Sequence, residues 1–155
     1  MKILEKFIDI ISLNEYSKAK GSDTLFHLYL ILELTNPKNH TEIIKLVYEK
    51  NEQPNISTKL PKETNETEQY TYKVRKILTL NKLIENQINK YGSERYHIYN
   101  PLSTNCQRFV IDMFDSNNLN NALIRKFVVQ DLTKLIKRSE EHTSELQSHH
   151  DLVCR

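Results

Sequence analysis

Tryptophan is missing from this 155-residue chain, and glycine, proline and cysteine are scarce, with two, four and two copies. So little glycine and proline argues against a loop-rich or disordered protein, and no glycine-rich loop is present to cradle a phosphate. The cysteines supply no disulfide framework, which suits a reducing compartment. No apolar run is long enough for a membrane span, and no signal-peptide pattern opens the chain.

The last part of the sequence carries little weight. Arg138 to Ser148 reads RSEEHTSELQS, the literal translation of the start of a standard short-read sequencing adapter. Residues 139–155 are therefore expected to be an artefactual tail. Residues 1–138 are expected to form a single domain. The tail removes His142, His149, His150 and Cys154 from any metal-site reading, and no metal or cofactor is expected. Without the tail, 21 basic residues stand against 16 acidic ones, a formal charge of +5 compared with +2 for the whole chain. Lysine, asparagine and isoleucine fill 46 positions, as AT-rich codons produce, so much of the basicity reflects codon usage. No alternation of aromatic and basic residues accompanies it, which ranks binding to nucleic acid or to an anionic membrane last.

Periodicity outlines an α+β domain. Lys2 to Ala19 spaces Ile3, Leu4, Phe7, Ile8, Ile10, Ile11 and Leu13 so as to predict an amphipathic helix, closed by Gly21-Ser22-Asp23. Leu25 to Thr35 alternates as a strand, with Leu28, Leu30, Leu32 and Leu34 on one face and the mixed set His27, Tyr29, Ile31 and Glu33 on the other. Asn36 to Asn39 has turn composition, and Ile43 to Asn51 returns as the second arm of a hairpin. Asn51 to Gln69 is polar enough for a long connection, with weaker strand signals at Ile56 to Leu60 and Tyr70 to Val74. Thr79 caps a helix predicted over Leu80 to Tyr91. Tyr96 to Tyr99 reads as a short strand broken by Pro101. A helix from Asn105 to about Asp115, a polar turn over Ser116 to Asn121 and a last helix over Ala122 to Lys137 complete the chain.

The chemistry concentrates at Asn105-Cys106-Gln107-Arg108-Phe109-Val110. Cys106 opens a helix, where unpaired N–H groups and the helix dipole favour a thiolate. Cys106, Phe109, Val110 and Met113 also share a stripe, so a small buried core thiol is the competing reading. A nucleophile needs a base. His27, opening an apolar strand, is the first candidate; His97 is the fallback, and His40 lies in the hairpin turn.

His27 on a strand, a hairpin return and a later Asn-Cys-x-x-Phe-Val at a helix start resemble the circularly permuted papain-like proteins, the NlpC-type group that includes lecithin retinol acyltransferase. In that group the histidine precedes the cysteine, as it does here. Blocks at Phe26 to Leu30, Tyr48 to Glu52, Leu78 to Leu83, Asn105 to Phe109 and Phe127 to Asp131 are similar to proteins of large DNA viruses of protists, a resemblance that implies a natural N-terminus upstream of Met1 and a host cytoplasm or virion as the reducing compartment. The resemblance implies an antiparallel sheet packed against helices, the cysteine helix among them. Cys106 would attack a carbonyl, His27 would hold and return the proton, and the Cys106 backbone N–H would help bind the oxyanion. A third polar group should orient the imidazole. A hairpin folded about Lys38 sets residue 27 opposite residue 49, nominating Glu49, with Asn51 as second choice. For His27 and Cys106 to share a proton, the mixed face of Leu25 to Thr35 is expected to look toward the cysteine helix and the leucine face to cover the opposite side of the sheet. Gln107 and Arg108 replace the Glu-His that follows the cysteine in the retinol acyltransferase group, so the match does not reach that lipid-acyl motif.

The expected activity is a thiol-dependent hydrolase or acyltransferase acting on an amide, isopeptide or ester bond of a protein or lipid substrate. The alternative is an inactive member of the fold that binds a virion or host protein.

Overall fold

The structure, a computed structural model, describes residues 3–13, 27–63, 67–119 and 121–129. Among the described residues it is an α+β arrangement of one antiparallel sheet and four helices. The strands are β1 (Ile3–Leu13), β2 (His27–Asn36), β3 (Asn39–Lys50), β4 (Pro54–Ser57), β5 (Glu68–Lys73) and β6 (Leu78–Thr79). The helices are α1 (Leu80–Tyr91), α2 (Ser93–His97), α3 (Cys106–Ser116) and α4 (Ala122–Val128). The sheet runs β4-β3-β2-β1-β5, and β6 pairs with β1 beside β5.

The predicted first helix is instead β1, a strand inside the sheet between β2 and β5. Ile8 and Ile10 enter the main core while Ile11 lies in a second cluster with Tyr29 and Val47. A strand buried on both faces shows no apolar–polar alternation, so its isoleucines also satisfy helical spacing. Gly21-Ser22-Asp23, Leu25, Phe26, the part of the last helix beyond Val129, and the tail lie outside the described residues.

The hairpin forms where expected, with Pro37 and Lys38 at its turn, but its register differs. Asn36 pairs with Asn39 whereas Thr35 pairs with Ile43, so β2 advances one residue while β3 advances four. Beyond that irregularity Glu49 faces Tyr29, not His27. The long connection after β3 includes β4, and only Ile56 and Ser57 of the predicted Ile56 to Leu60 strand belong to it.

The faces of β2 are also used differently from expectation. Its leucine face was expected to turn away from the cysteine helix. Leu28, Leu30, Leu32 and Leu34, each at most 1% exposed, share one core with Cys106, Phe109, Val110 and Met113 of α3. The stripe of α3 is itself apolar and needs an apolar face. Each such leucine gains roughly 1.5–3 kcal/mol on leaving water. The mixed face contributes Tyr29 to the smaller cluster across the sheet, with Ile31 packed against it.

Two helix starts match their sequence signals. Thr79 Oγ1 accepts from the Lys82 N–H at 3.1 Å, and Asn105 Oδ1 accepts from the Arg108 N–H at 3.0 Å, each satisfying a first-turn donor. The predicted strand over Tyr96 to Tyr99 is replaced by α2 and an extended exit at Ile98. Tyr96 is buried there by packing on Phe109, with ring centroids 5.8 Å apart, and by a 3.0 Å hydrogen bond to the Tyr48 hydroxyl.

Candidate active site

His27 is the first residue of β2 and Cys106 the first of α3, and the two meet where the strand ends. This rim position reconciles a histidine on the mixed face with a helix packed on the leucine face. The Cys106 sulfur is hydrogen-bonded to the His27 side chain and receives backbone N–H groups from Leu28 and Gln107. It forms no disulfide and is 9% exposed.

Burial alone would push the Cys106 thiol up. The His27 hydrogen bond, followed by the Leu28 N–H, the charge of His27 and the Gln107 N–H, outweighs it and holds the thiol below its ordinary value of 9.0. His27 moves the opposite way. Burial disfavours its charged form, yet the hydrogen bonds to Cys106 and Glu49 and their charges raise it above the ordinary 6.5. Both directions favour the thiolate–imidazolium form of the pair.

His27 Nε2 lies 2.8 Å from Glu49 Oε2, which leaves Nδ1 as the ring nitrogen for the sulfur. Glu49 is diagonal to His27 across the β2–β3 ladder, a separation that a glutamate can span. The Tyr29 ring lies 6.4 Å from the imidazole centroid at 29°, giving the imidazole an aromatic neighbour on its own strand. The side chains of His27 and Glu49 are 18% and 19% exposed, so solvent reaches the site from their side.

Of the sequence candidates, Cys106, His27 and Glu49 come together. Asn51 lies in the exposed bend after β3 and is not joined to His27. His97 is exposed on α2, where its Nδ1 is 2.8 Å from the Ser93 carbonyl oxygen. His40 is the second residue of β3.

Sequence reasoning did not single out the buried polar layer behind the site. The Tyr48 hydroxyl lies 3.2 Å from Gln87 Oε1 and 3.0 Å from the Tyr96 hydroxyl, and Gln87 Nε2 donates to the Phe109 carbonyl at 3.0 Å. Burial pushes both tyrosines above their ordinary value. Lys50 is 1% exposed, and its Nζ donates to the carbonyls of Arg95 at 2.9 Å and Ile98 at 2.7 Å. Its signal was available: alternation places residue 50 on the same face as Tyr48, and a lysine at an inward strand position needs partners.

Among the described residues no His, Cys, Asp or Glu side chains gather in a metal-binding group, and no helix is long and apolar enough to cross a membrane. Compared with models of known protein families, with curated proteins and with solved structures, the chain matches none of them.

Proposed function

We propose that the protein is a thiol-dependent hydrolase or acyltransferase with the permuted papain-like arrangement, acting through Cys106, His27 and Glu49 on an amide, isopeptide or ester bond. The observation that carries this reading is the hydrogen-bonded chain from the Cys106 sulfur through the His27 ring to Glu49, with the thiol lowered and the imidazole raised. The order of histidine on a strand and cysteine at a later helix start supports the same arrangement.

In this mechanism the Cys106 thiolate attacks the substrate carbonyl, forming the S–C bond, while the Cys106 backbone N–H at the helix N-terminus helps bind the oxyanion. The imidazolium of His27 donates its proton to the leaving nitrogen or oxygen as the C–N or C–O bond breaks. The neutral imidazole then takes a proton from water or an acceptor nucleophile, which attacks the thioester and releases Cys106. Glu49 holds Nε2–H throughout and fixes the ring.

The test is the pH dependence of iodoacetamide alkylation at Cys106, measured in a Cys154→Ser background with and without His27→Ala. The parent is expected to carry a thiolate near neutral pH, and His27→Ala to return the midpoint toward the ordinary thiol value of 9.0. A parent that alkylates like an ordinary or inaccessible thiol would overturn the enzyme reading in favour of an inactive binding module.

A further inference from the structure

We propose that Lys50 is a positioning residue for the nucleophile, holding the segment that carries Cys106 at the height where its sulfur meets His27. The inference deepens the thiol-enzyme reading and rests on it.

Glu49 and Lys50 are consecutive residues of β3, so their side chains leave opposite faces of the strand. Glu49 crosses one face to His27. Lys50 crosses the other to the carbonyls of Arg95 and Ile98. Those carbonyls belong to the C-terminal end of α2, where backbone acceptors lack intrahelical partners and a cation is favoured. With Lys50 1% exposed, water is a poor substitute for its ammonium group.

The chain from Ile98 to Cys106 is tied to itself. Asn100 Oδ1 accepts from the N–H groups of Leu102 at 2.9 Å and Ser103 at 3.2 Å, and the Asn100 carbonyl accepts from Thr104 N–H at 3.0 Å. Asn105 Nδ2 donates to the Pro101 carbonyl at 2.8 Å while its Oδ1 caps α3. A loop cross-linked in this way passes a displacement at Ile98 on to Asn105 and Cys106. One end of β3 therefore fixes both partners of the dyad, the base through Glu49 and the nucleophile through Lys50.

Lys50 does not act on the sulfur directly. The groups that do are His27, Leu28 and Gln107. Nor is the ammonium left open to a ligand: two of its protons go to carbonyls, and the Phe109 ring centroid lies 6.0 Å away. The neighbouring arginines Arg95 and Arg108 are taken up by Asp112.

The experiment compares the alkylation pH profile of Cys106 in the Cys154→Ser parent, Lys50→Met and Val128→Ala, with thermal melts of each. Val128→Ala opens a cavity under α4 and serves as a destabilised control. In Lys50→Met the midpoint is expected to rise by about one pH unit, an alkylation rate about tenfold lower at pH values well below the parent midpoint, while the control keeps the parent profile. Lys50→Gln, which retains an uncharged NH2 donor group, should show a smaller shift in the same direction and provides the measurement should Lys50→Met fail to fold. A low parent midpoint left unmoved by the Lys50 substitutions overturns the positioning role and leaves the enzyme reading standing. An ordinary parent midpoint overturns both.

Discussion

Glu49 Oε2 sits 2.8 Å from His27 Nε2 although the residue directly opposite Glu49 in the ladder is Tyr29. The contact is diagonal, so the carboxylate holds the imidazole by reach across the strands. Replacing Glu49 with Gln keeps a similar reach and removes the charge.

That charge helps hold the His27 pKa above 6.5, which sets the sign of a pH effect. A raised histidine stabilises the fold fully below its ordinary value, and the contribution disappears as pH rises through the higher folded value. Urea melts should therefore show parent and Glu49→Gln most separated near pH 6 and converging on the alkaline side of the folded His27 value. A gap that widens with rising pH would contradict the assignment. The lowered Cys106 contributes with the opposite sign: its part is complete above 9.0 and is lost as pH falls through its own lower value.

Asn105→Ala removes the side chain that caps α3 and ties the loop to Pro101. Chemical denaturation should register a loss of about 1 kcal/mol, typical of an N-cap. Asn105→Asp keeps the cap acceptor but loses the donor to the Pro101 carbonyl, so it should recover only part of the loss.

Gly92 joins α1 to α2 at φ +87° and ψ 151°. No atom lies within 4 Å of where a Cβ would stand, so Gly92→Ala meets no steric obstacle, only an unfavourable backbone. The expected loss is about 1–3 kcal/mol, read from the urea midpoint. An unchanged midpoint would mean that the turn relaxes to another conformation.

Asp112, with a side chain 4% exposed, accepts from Arg95 through Nε and Nη2 at 2.6 Å each and forms an ion pair with Arg108, whose Nε lies 3.1 Å from Oδ1. The Glu33–Lys45 pair, at 3.0 Å, has a lysine 49% exposed. Asp112→Ala should cost about 1–3 kcal/mol, because Arg95, its side chain 30% exposed, loses two hydrogen bonds to a charged acceptor. Lys45→Ala should cost less than about 1 kcal/mol, and only the latter effect should vanish in high salt.

Local signals were the legible ones. Thr79 and Asn105 announced their helices because a cap is written in one residue and its next three neighbours. The hairpin was legible from turn residues between two apolar runs. β1 was not, because its run from Ile8 to Ser12 is buried on both faces, and what identifies it as a strand is its pairing with the distant β2 and β5. The four isoleucines within its eleven residues, β-branched and favouring strands, were the available hint. Glu49 was found through a register that proved wrong: the irregularity beside Asn36 has no sequence signature, but a two-residue shift keeps the same face. The use of the leucine face was missed because the dyad was assumed to lie on a face of the sheet, whereas it lies at the end of a strand.

The separation of the dyad along the chain sets when the site comes into being. His27 and Glu49 belong to a hairpin of adjacent strands, which can close locally and early. Cys106 arrives from 79 residues beyond His27, after β1 has found its neighbours and the loop after α2 has settled. A chain still being synthesised, or one cut between β3 and α3, holds the base and its carboxylate but only an ordinary thiol, so reactivity at Cys106 is a chemical readout of completed folding. In refolding experiments it should appear with the last structural phase.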